Sequence, residues 1–345
     1  MASRDFSDDP RIDPRLKALL SGFPAPSMRN WDSRDELVAA NNTPEAAAAR
    51  EQVMQFMALA NTEEVASFEG LRIETKEFVS QPDGNTIKVQ FIRPDTDEVL
   101  PCVYYIHGGG MMFFSCFDGN YCAWGRTIAQ QGVAVAMVDF RNSLVASSAP
   151  EIAPFPAGLN DCVSGTEWVA SAHAELGIDP TRIIVAGESG GGNLTLATGM
   201  KLLRDGAVDR ISGLYALCPY IAGQWPLPEN PSSTENNGIV LDLHNNEGQV
   251  AYGIEEVEKR NPLAWPGFAQ ASDVQGLPRT CISVNECDPL RDEGLGFFRL
   301  LLAAGVPAQC RQVMGSVHGS DTMPIFCPEV TRETARSIAA FARGD

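Results

Sequence analysis

Apolar residues along the chain change their spacing twice, and each change predicts a different kind of structure. Up to about residue 69 they recur at helical spacing without strand-like alternation. Thr43 followed by Pro44 offers a side-chain cap and a ring preset for a first turn, after which Val53, Phe56, Met57 and Ala60 line up as one stripe. This segment is expected to be helical and to bury that stripe. From Leu71 the period becomes two: Ile87, Val89 and Phe91 alternate with Lys88 and Gln90, behind the turn chemistry of Pro82-Asp83-Gly84-Asn85. Residues 71–92 therefore predict an antiparallel hairpin that opens a sheet.

Short runs that are apolar throughout follow at 102–106, 133–138, 183–186, 214–218 and 281–284, alternating with helical patterns near 156–175, 191–204, 290–304 and 325–343. Strands apolar on both faces and joined by helix-length crossovers are what a parallel sheet covered on both sides requires, so the fold class is α/β. A last strand carrying Gln309, Arg311 and Gln312 reads as a polar sheet edge that could pair with a second copy of the chain. Residues 219–270 interrupt the rhythm with Pro219, Pro226, Pro228 and Pro231, a Gly- and Asn-rich stretch and a helix near 247–259. An insertion of that length between strand and helix predicts a lid or cap over the sheet.

Composition then narrows the partners. At 345 residues, with 44% hydrophobic and 20% charged positions, the chain can bury a core without disulfides or metal. Lys and Arg number 26 against 44 Asp and Glu, a net charge of −18, and no basic run interrupts this field. Nucleic acid and anionic lipid are thereby disfavoured as partners. No stretch approaches the ~18 apolar residues of a membrane span, and MASRDFSDDP is acidic where a secretory signal is basic, so a cytoplasmic location is expected. Nine Cys, with no CxxC pair, predict reduced thiols and no metal.

The candidate chemistry sits at strand ends. The run from Ile183 enters Gly187-Glu188-Ser189-Gly190-Gly191 and then a helix, a strand-to-helix turn that pushes a strained Ser189 into the open at a helix N-terminus. About eighty residues earlier, another strand runs into His107-Gly108-Gly109-Gly110, where consecutive Gly let backbone N–H groups point inward at a tetrahedral oxyanion. Met111, Met112, Phe113 and Phe114 follow it, and with Tyr220 and Trp225 they are the candidate apolar walls of a pocket. His107 itself reads as a brace for the loop.

A nucleophilic serine needs a base, and the base an orienting carboxylate. Of the four His, His173 falls among Ala and Glu in a helix and His244 lies in the insertion, whereas His318 follows the last strand in a short loop. After 281–284, Asp288 precedes Pro289 and stays out of the next helix, while Asp292 and Glu293 fall in its first turn, where acids favour the dipole. Ser189, Asp288, His318 is the chain order of the α/β-hydrolase architecture.

Taken together, Tyr104-Tyr105-Ile106-His107-Gly108-Gly109-Gly110-Met111, Gly187-Glu188-Ser189-Gly190-Gly191-Gly192-Asn193 and Asp288-Pro289-Leu290-Arg291-Asp292-Glu293-Gly294 resemble the hormone-sensitive-lipase family of bacterial carboxylesterases, from about residue 100 to the C-terminus. The resemblance implies an eight-stranded, mostly parallel α/β-hydrolase sheet with helices on both faces. It divides the chain into 70–218 and 271–345 as core, with 1–69 and 219–270 forming a helical cap. It also implies oxyanion donors at the N–H groups of Gly109, Gly110 and Gly190, a small-molecule ester as substrate and no cofactor. Where the family usually has Asp and Ala around its serine, this chain has Glu188 and Gly190. Glu188 reads as a brace behind the site or as a longer version of the usual carboxylate, the brace being preferred.

The expected activity is hydrolysis of short to medium acyl esters, lactones among the candidates, through an acyl-enzyme. A non-catalytic receptor on the same scaffold would not need the base at His318. A serine peptidase of the prolyl-oligopeptidase kind would need a propeller that the N-terminal residues are too few to build.

Overall fold

The computed structural model describes residues 9–20 and 29–345; residues 1–8 and 21–28 of the expected helical N-terminal part lie outside the described residues. The predicted hairpin is β1 (Leu71–Val79) with β2 (Thr86–Pro94), paired antiparallel from Leu71 opposite Pro94 to Val79 opposite Thr86. It is followed by β3 (Leu100–Ile106), β4 (Ala134–Val138), β5 (Ile178–Glu188), β6 (Gly213–Leu217), β7 (Thr280–Cys287) and β8 (Ala308–Val317). These form one sheet in the order β1-β2-β4-β3-β5-β6-β7-β8. β2 meets β4 antiparallel, and every later pair is parallel.

The uniformly apolar strands are buried on both faces. From β3, Cys102, Tyr104 and Ile106 face Leu159, Val169, Leu194 and Met200 of helices Ala157–Ser171 and Gly190–Arg204. Val103 and Tyr105 face the other side, against Trp124 and Ile128 of Gly119–Ala129 and Ala335 and Ile338 of Pro328–Arg343. Full burial of side chains this size contributes about 1.5–3 kcal/mol each, against about 1 kcal/mol for a helix cap, so the two faces of the sheet hold the fold.

Three local expectations need correction. Helix Gly119–Ala129 was not expected; it carries two Gly, and at Gly125 the helix lies so close to the sheet that an added Cβ would come 2.4 Å from Met137 Sδ. In helix Pro44–Ala58, capped as predicted by Thr43 Oγ1 accepting from Ala46 N–H, Val53 is 44% exposed and Met54 turns inward instead. The helix expected over 247–259 breaks at Gly253 (φ +140) into Glu247–Tyr252 and Ile254–Glu258.

The N-terminal part docks on the insertion. Asn246 accepts from Trp31 N–H and donates to Trp31 O, at 2.8 and 2.9 Å, and Arg34 donates to Ser143 O and Ala251 O. Beneath these bonds Leu37 of helix Arg34–Asn41 packs with Met112, Leu144, Val250 and Ala251. Among the described residues β8 has one strand neighbour, β7; on it Gly315 O accepts from Asp13 N–H at 2.9 Å, and Met314 is 65% exposed. No helix among the described residues is long and apolar enough to cross a membrane.

Candidate active site

β3, β5, β7 and β8 run parallel, and the loops leaving their carboxyl ends converge. Ser189 follows β5 directly, with φ +56 and ψ −117, a conformation that L-residues rarely adopt. Its N–H donates to Leu217 O, and its carbonyl accepts from the N–H groups of Asn193 and Tyr220, which holds the strained turn in place. The turn also needs a bare backbone at Gly191, where an added Cβ would stand 2.0 Å from Ile106 O.

His318, after β8, brings the distant pieces together. The Ser189 hydroxyl donates to its Nε2 at 2.9 Å, and its Nδ1–H donates to Asp288 Oδ2 at 2.8 Å. Burial alone would push the imidazole pKa down, but the adjacent Asp288 carboxylate outweighs it and holds the pKa above its ordinary value. Asp288 is fully buried; its Oδ1 accepts from Leu290 N–H at 2.9 Å, and its carbonyl accepts from Asn236 Nδ2 at 3.1 Å. The base loop is tied to β7 through Asn285, whose Oδ1 accepts from Gly319 N–H and whose amide donates to Ser316 Oγ and Asp321 Oδ1.

The glycine loop after β3 lies beside the serine. Gly109 and Gly110 have φ of +91 and +63, so their peptides take orientations that ordinary residues resist. Backbone N atoms of Gly110 and Met111 approach to 2.7 and 2.5 Å of the point where a Gly190 Cβ would sit, which places this loop against the start of helix Gly190–Arg204. His107 is fully buried, stacked on Phe140 at 4.3 Å, with Nδ1 3.0 Å from Gly108 O. Burial pushes its pKa down, so it stays neutral at the root of the loop.

Glu188 has partners that sequence spacing did not reveal. Its Oε1 accepts from Gly108 N–H at 2.7 Å and from the Tyr121 hydroxyl at 2.6 Å, and its Oε2 from the Tyr105 hydroxyl at 2.5 Å. Burial pushes the carboxyl up to about 7, with the three donors pulling the other way. Glu293 goes beyond its expected dipole role: Oε1 accepts from Ile221 and Ala222 N–H at 2.7 and 3.1 Å, and Oε2 from Trp225 Nε1 at 2.7 Å. For Glu188 the signal was a carboxylate at the end of an otherwise apolar stretch, which has to find donors if it is buried; Glu293, beside Arg291 and Asp292, carried no such signal.

The proposed wall residues divide. Met112 and half-buried Phe113 reach the cluster under helix Arg34–Asn41, and Phe114 tilts against Tyr121. Met111 is buried in the main core. Tyr220 and Trp225, 8% and 9% exposed, stack on each other at 4.6 Å and meet Trp265 edge-on. His173 opens the short helix His173–Leu176 and His244 bonds Ser233 O through Nε2, both apart from the serine's hydrogen-bond set. A surface hollow of 350 Å³ lined by Phe78, Val79, Glu167, Trp168, Ser171 and Arg210 contains none of these groups. Ligand atoms of Cys218, Asp288 and His318 lie within 4.8 Å of one another. Both imidazole nitrogens are already engaged in the hydrogen-bonded chain from Asp288 to Ser189, and burial pushes the Cys218 thiol far up.

A family model described as the alpha/beta hydrolase fold matches residues 103–321. Carboxylesterase NlhH of Mycobacterium tuberculosis is 32% identical over 339 residues, 97% of this chain and 96% of that protein. Among solved structures, esterase Est22 with p-nitrophenol is 61% identical and superposes with a TM-score of 0.97, over 99% of this chain and 100% of its own. Brefeldin A esterase, described as a bacterial homologue of human hormone-sensitive lipase, is 34% identical with a TM-score of 0.85, over 99% of this chain and 95% of its own.

Proposed function

The chain belongs to the hormone-sensitive-lipase family of α/β hydrolases and is a carboxylesterase; from that premise we propose that it cleaves short to medium acyl esters, lactones included, through an acyl-enzyme on Ser189. The observation that carries this reading is one imidazole bonded at 2.9 Å to a strained serine hydroxyl and at 2.8 Å to a buried carboxylate. His318 Nε2 takes the Ser189 proton as Oγ attacks the ester carbonyl, and Asp288 stabilises the imidazolium that forms. The oxyanion accepts hydrogen bonds from the N–H groups of Gly109, Gly110 and Gly190, where one lost donor typically costs about 3 kcal/mol of transition-state stabilisation. His318 then returns its proton to the leaving alcohol. A water deprotonated by the same nitrogen releases the acid and restores the serine.

In this reading the N-terminal helices and residues 219–270 act as the cap. Met112 and Phe113, packed under it, give the acyl chain apolar surface, with Met111, Phe114 and the Tyr220–Trp225 stack behind them. Nine unpaired thiols are consistent with work in a reducing cytoplasm, and the edge of β8 that no further strand among the described residues pairs with is the proposed face for a homodimer.

The test is a series of p-nitrophenyl esters from acetate to laurate plus one simple lactone, run on the wild type and on Ser189→Ala. The expected result is a preference for the shorter chains and a fall of about 10⁴-fold or more in kcat/KM for Ser189→Ala, at unchanged Tm. Wild-type rates in Ser189→Ala would overturn the nucleophile assignment, and a preference for laurate would overturn the chain-length reading.

A further inference from the structure

Residues 188 and 190 flank the serine, and both meet the glycine loop, Glu188 at Gly108 and Gly190 at Gly110 and Met111. Glu188 ends β5, and its Oε1 accepts the N–H of Gly108, so the side chain ties the loop to the strand that delivers Ser189. The Tyr121 hydroxyl, which donates to the same oxygen, also accepts from Gly108 N–H at 3.1 Å, closing a small buried ring of bonds. The contact leaves no slack, since a Cβ added to Gly108 would fall 2.5 Å from Glu188 Oε1.

Gly190 meets the same loop further along, at Gly110 and Met111. An added Cβ there would lie 2.5 Å from Met111 N, 2.7 Å from Gly110 N and 2.8 Å from Gly110 Cα. All three are backbone atoms, so no side chain can rotate away to make room. A methyl at 190 thus requires the loop to retreat, while the bond from Gly108 to Glu188 resists that retreat. A carboxylate shorter by one carbon, about 1.5 Å of reach, would relax the resistance.

We infer that Glu188 and Gly190 are a matched pair of positioning residues: the reach of one and the bareness of the other jointly set the gap between the Ser189 hydroxyl and the N–H groups of Gly109 and Gly110. This rests on the reading of Ser189 as nucleophile and of those N–H groups as oxyanion donors. It adds that the hole's width is encoded in the reach of the Glu188 side chain and the lack of one at Gly190, apart from the N–H groups that meet the oxyanion, and that each is replaceable only together with the other. A loop displaced by a fraction of an ångström still admits the ester, so the loss should fall on kcat and leave KM nearly unchanged.

The experiment is a double-mutant cycle with p-nitrophenyl butyrate on wild type, Glu188→Asp, Gly190→Ala and the double variant, with Tm recorded for each and Glu188→Gln added. Gly190→Ala is expected to lower kcat about 10²-fold with KM within about threefold, and Glu188→Asp about tenfold. The double variant should recover at least about tenfold over Gly190→Ala, a coupling that independent sites do not show. Glu188→Gln keeps the reach and an acceptor oxygen, so it should lose less kcat than Glu188→Asp. Multiplicative losses in the double variant, or wild-type kcat in Gly190→Ala, would overturn the pairing. Should Gly190→Ala fail to fold, the Asp and Gln variants decide between them, and a greater loss in Gln would overturn it. An inactive Ser189→Ala alongside a multiplicative cycle removes the pairing alone, whereas an active Ser189→Ala removes the reading beneath it.

Discussion

The loops that carry Ser189, Asp288 and His318 and the insertion at 219–270 are assembled by different means. Each of the three loops leaves a strand of eight or more residues, β5, β7 or β8, anchored in the sheet. They are then held by buried polar groups whose bonds run from loop to loop, among them Asn285, Asp288 and Asp321. The insertion and the segment after it are built from helices of four to six residues, Ser232–Glu235, Glu247–Tyr252, Ile254–Glu258 and Ala271–Val274. Helices this short do not form alone in water. They depend on single side chains that reach across, such as Glu293 to Ile221, Ala222 and Trp225, Asn236 to Asp288 O, and Asn246 to Trp31. The lesson is a division of labour: the proposed catalytic geometry, which must hold to a fraction of an ångström, is placed on the sheet, and the surface proposed to select substrates is placed on parts joined by a few replaceable bonds.

If that division is right, changes at the sheet end should cost rate without stability, and changes in the insertion the reverse. The largest effect is expected for Asp288→Asn, which removes the charge facing Nδ1 and disfavours the required tautomer; kcat should fall about 10⁴-fold. Without the carboxylate, burial is opposed only by the weaker pull of Glu188 and Asp321, so the His318 pKa drops. The acid limb of the residual kcat/KM profile should therefore move to lower pH than in the wild type, because the base stays neutral further down. An unchanged limb would mean that another group titrates there.

Next comes Glu293→Gln, which keeps an acceptor for Ile221 and Ala222 but turns an amide N–H toward Trp225 Nε1–H and so loses that bond. It should cost about 1–2 kcal/mol in urea unfolding at acidic pH, with kcat within about threefold of wild type. Burial pushes the Glu293 carboxyl up to about 8 in the folded protein, above its usual value of 4.5. The folded state then binds more protons than the unfolded state between those values, and the wild type loses stability as pH rises through that window. The gap to Glu293→Gln should accordingly narrow between pH 5 and 8; a gap that widens would show that Glu293 folds as the ionised group.

Arg34→Ala should give the smallest effect. It removes bonds to Ser143 O and Ala251 O from a half-buried side chain that joins the N-terminal helix to the insertion. About 1 kcal/mol of stability and a two- to threefold rise in KM are expected, with kcat unchanged. A loss of kcat without a change in KM would place this contact on the sheet-end side of the division.

What the sequence could determine was local. Strands β3 to β7 were legible because parallel strands covered on both faces leave runs with no polar interruption, and the β1–β2 hairpin because its apolar residues alternate around Pro82-Asp83-Gly84-Asn85, which is turn chemistry whatever surrounds it. Ser189, Asp288 and His318 were singled out by their positions just past strand ends, which is again a matter of near neighbours in the chain. Helix Gly119–Ala129 was hidden by its Gly, whose reason is a sheet packed too closely for a side chain, and Val53 was assigned to a stripe that in the fold takes Met54 instead. The partners of Glu188 and Glu293, the break at Gly253 and the clearance at Gly190 were decided only by tertiary structure. Periodicity reports which face of an element is buried, but a hydrogen bond or a missing ångström between loops from different strands depends on how the whole sheet twists and packs. No stretch of neighbouring residues carries that distance.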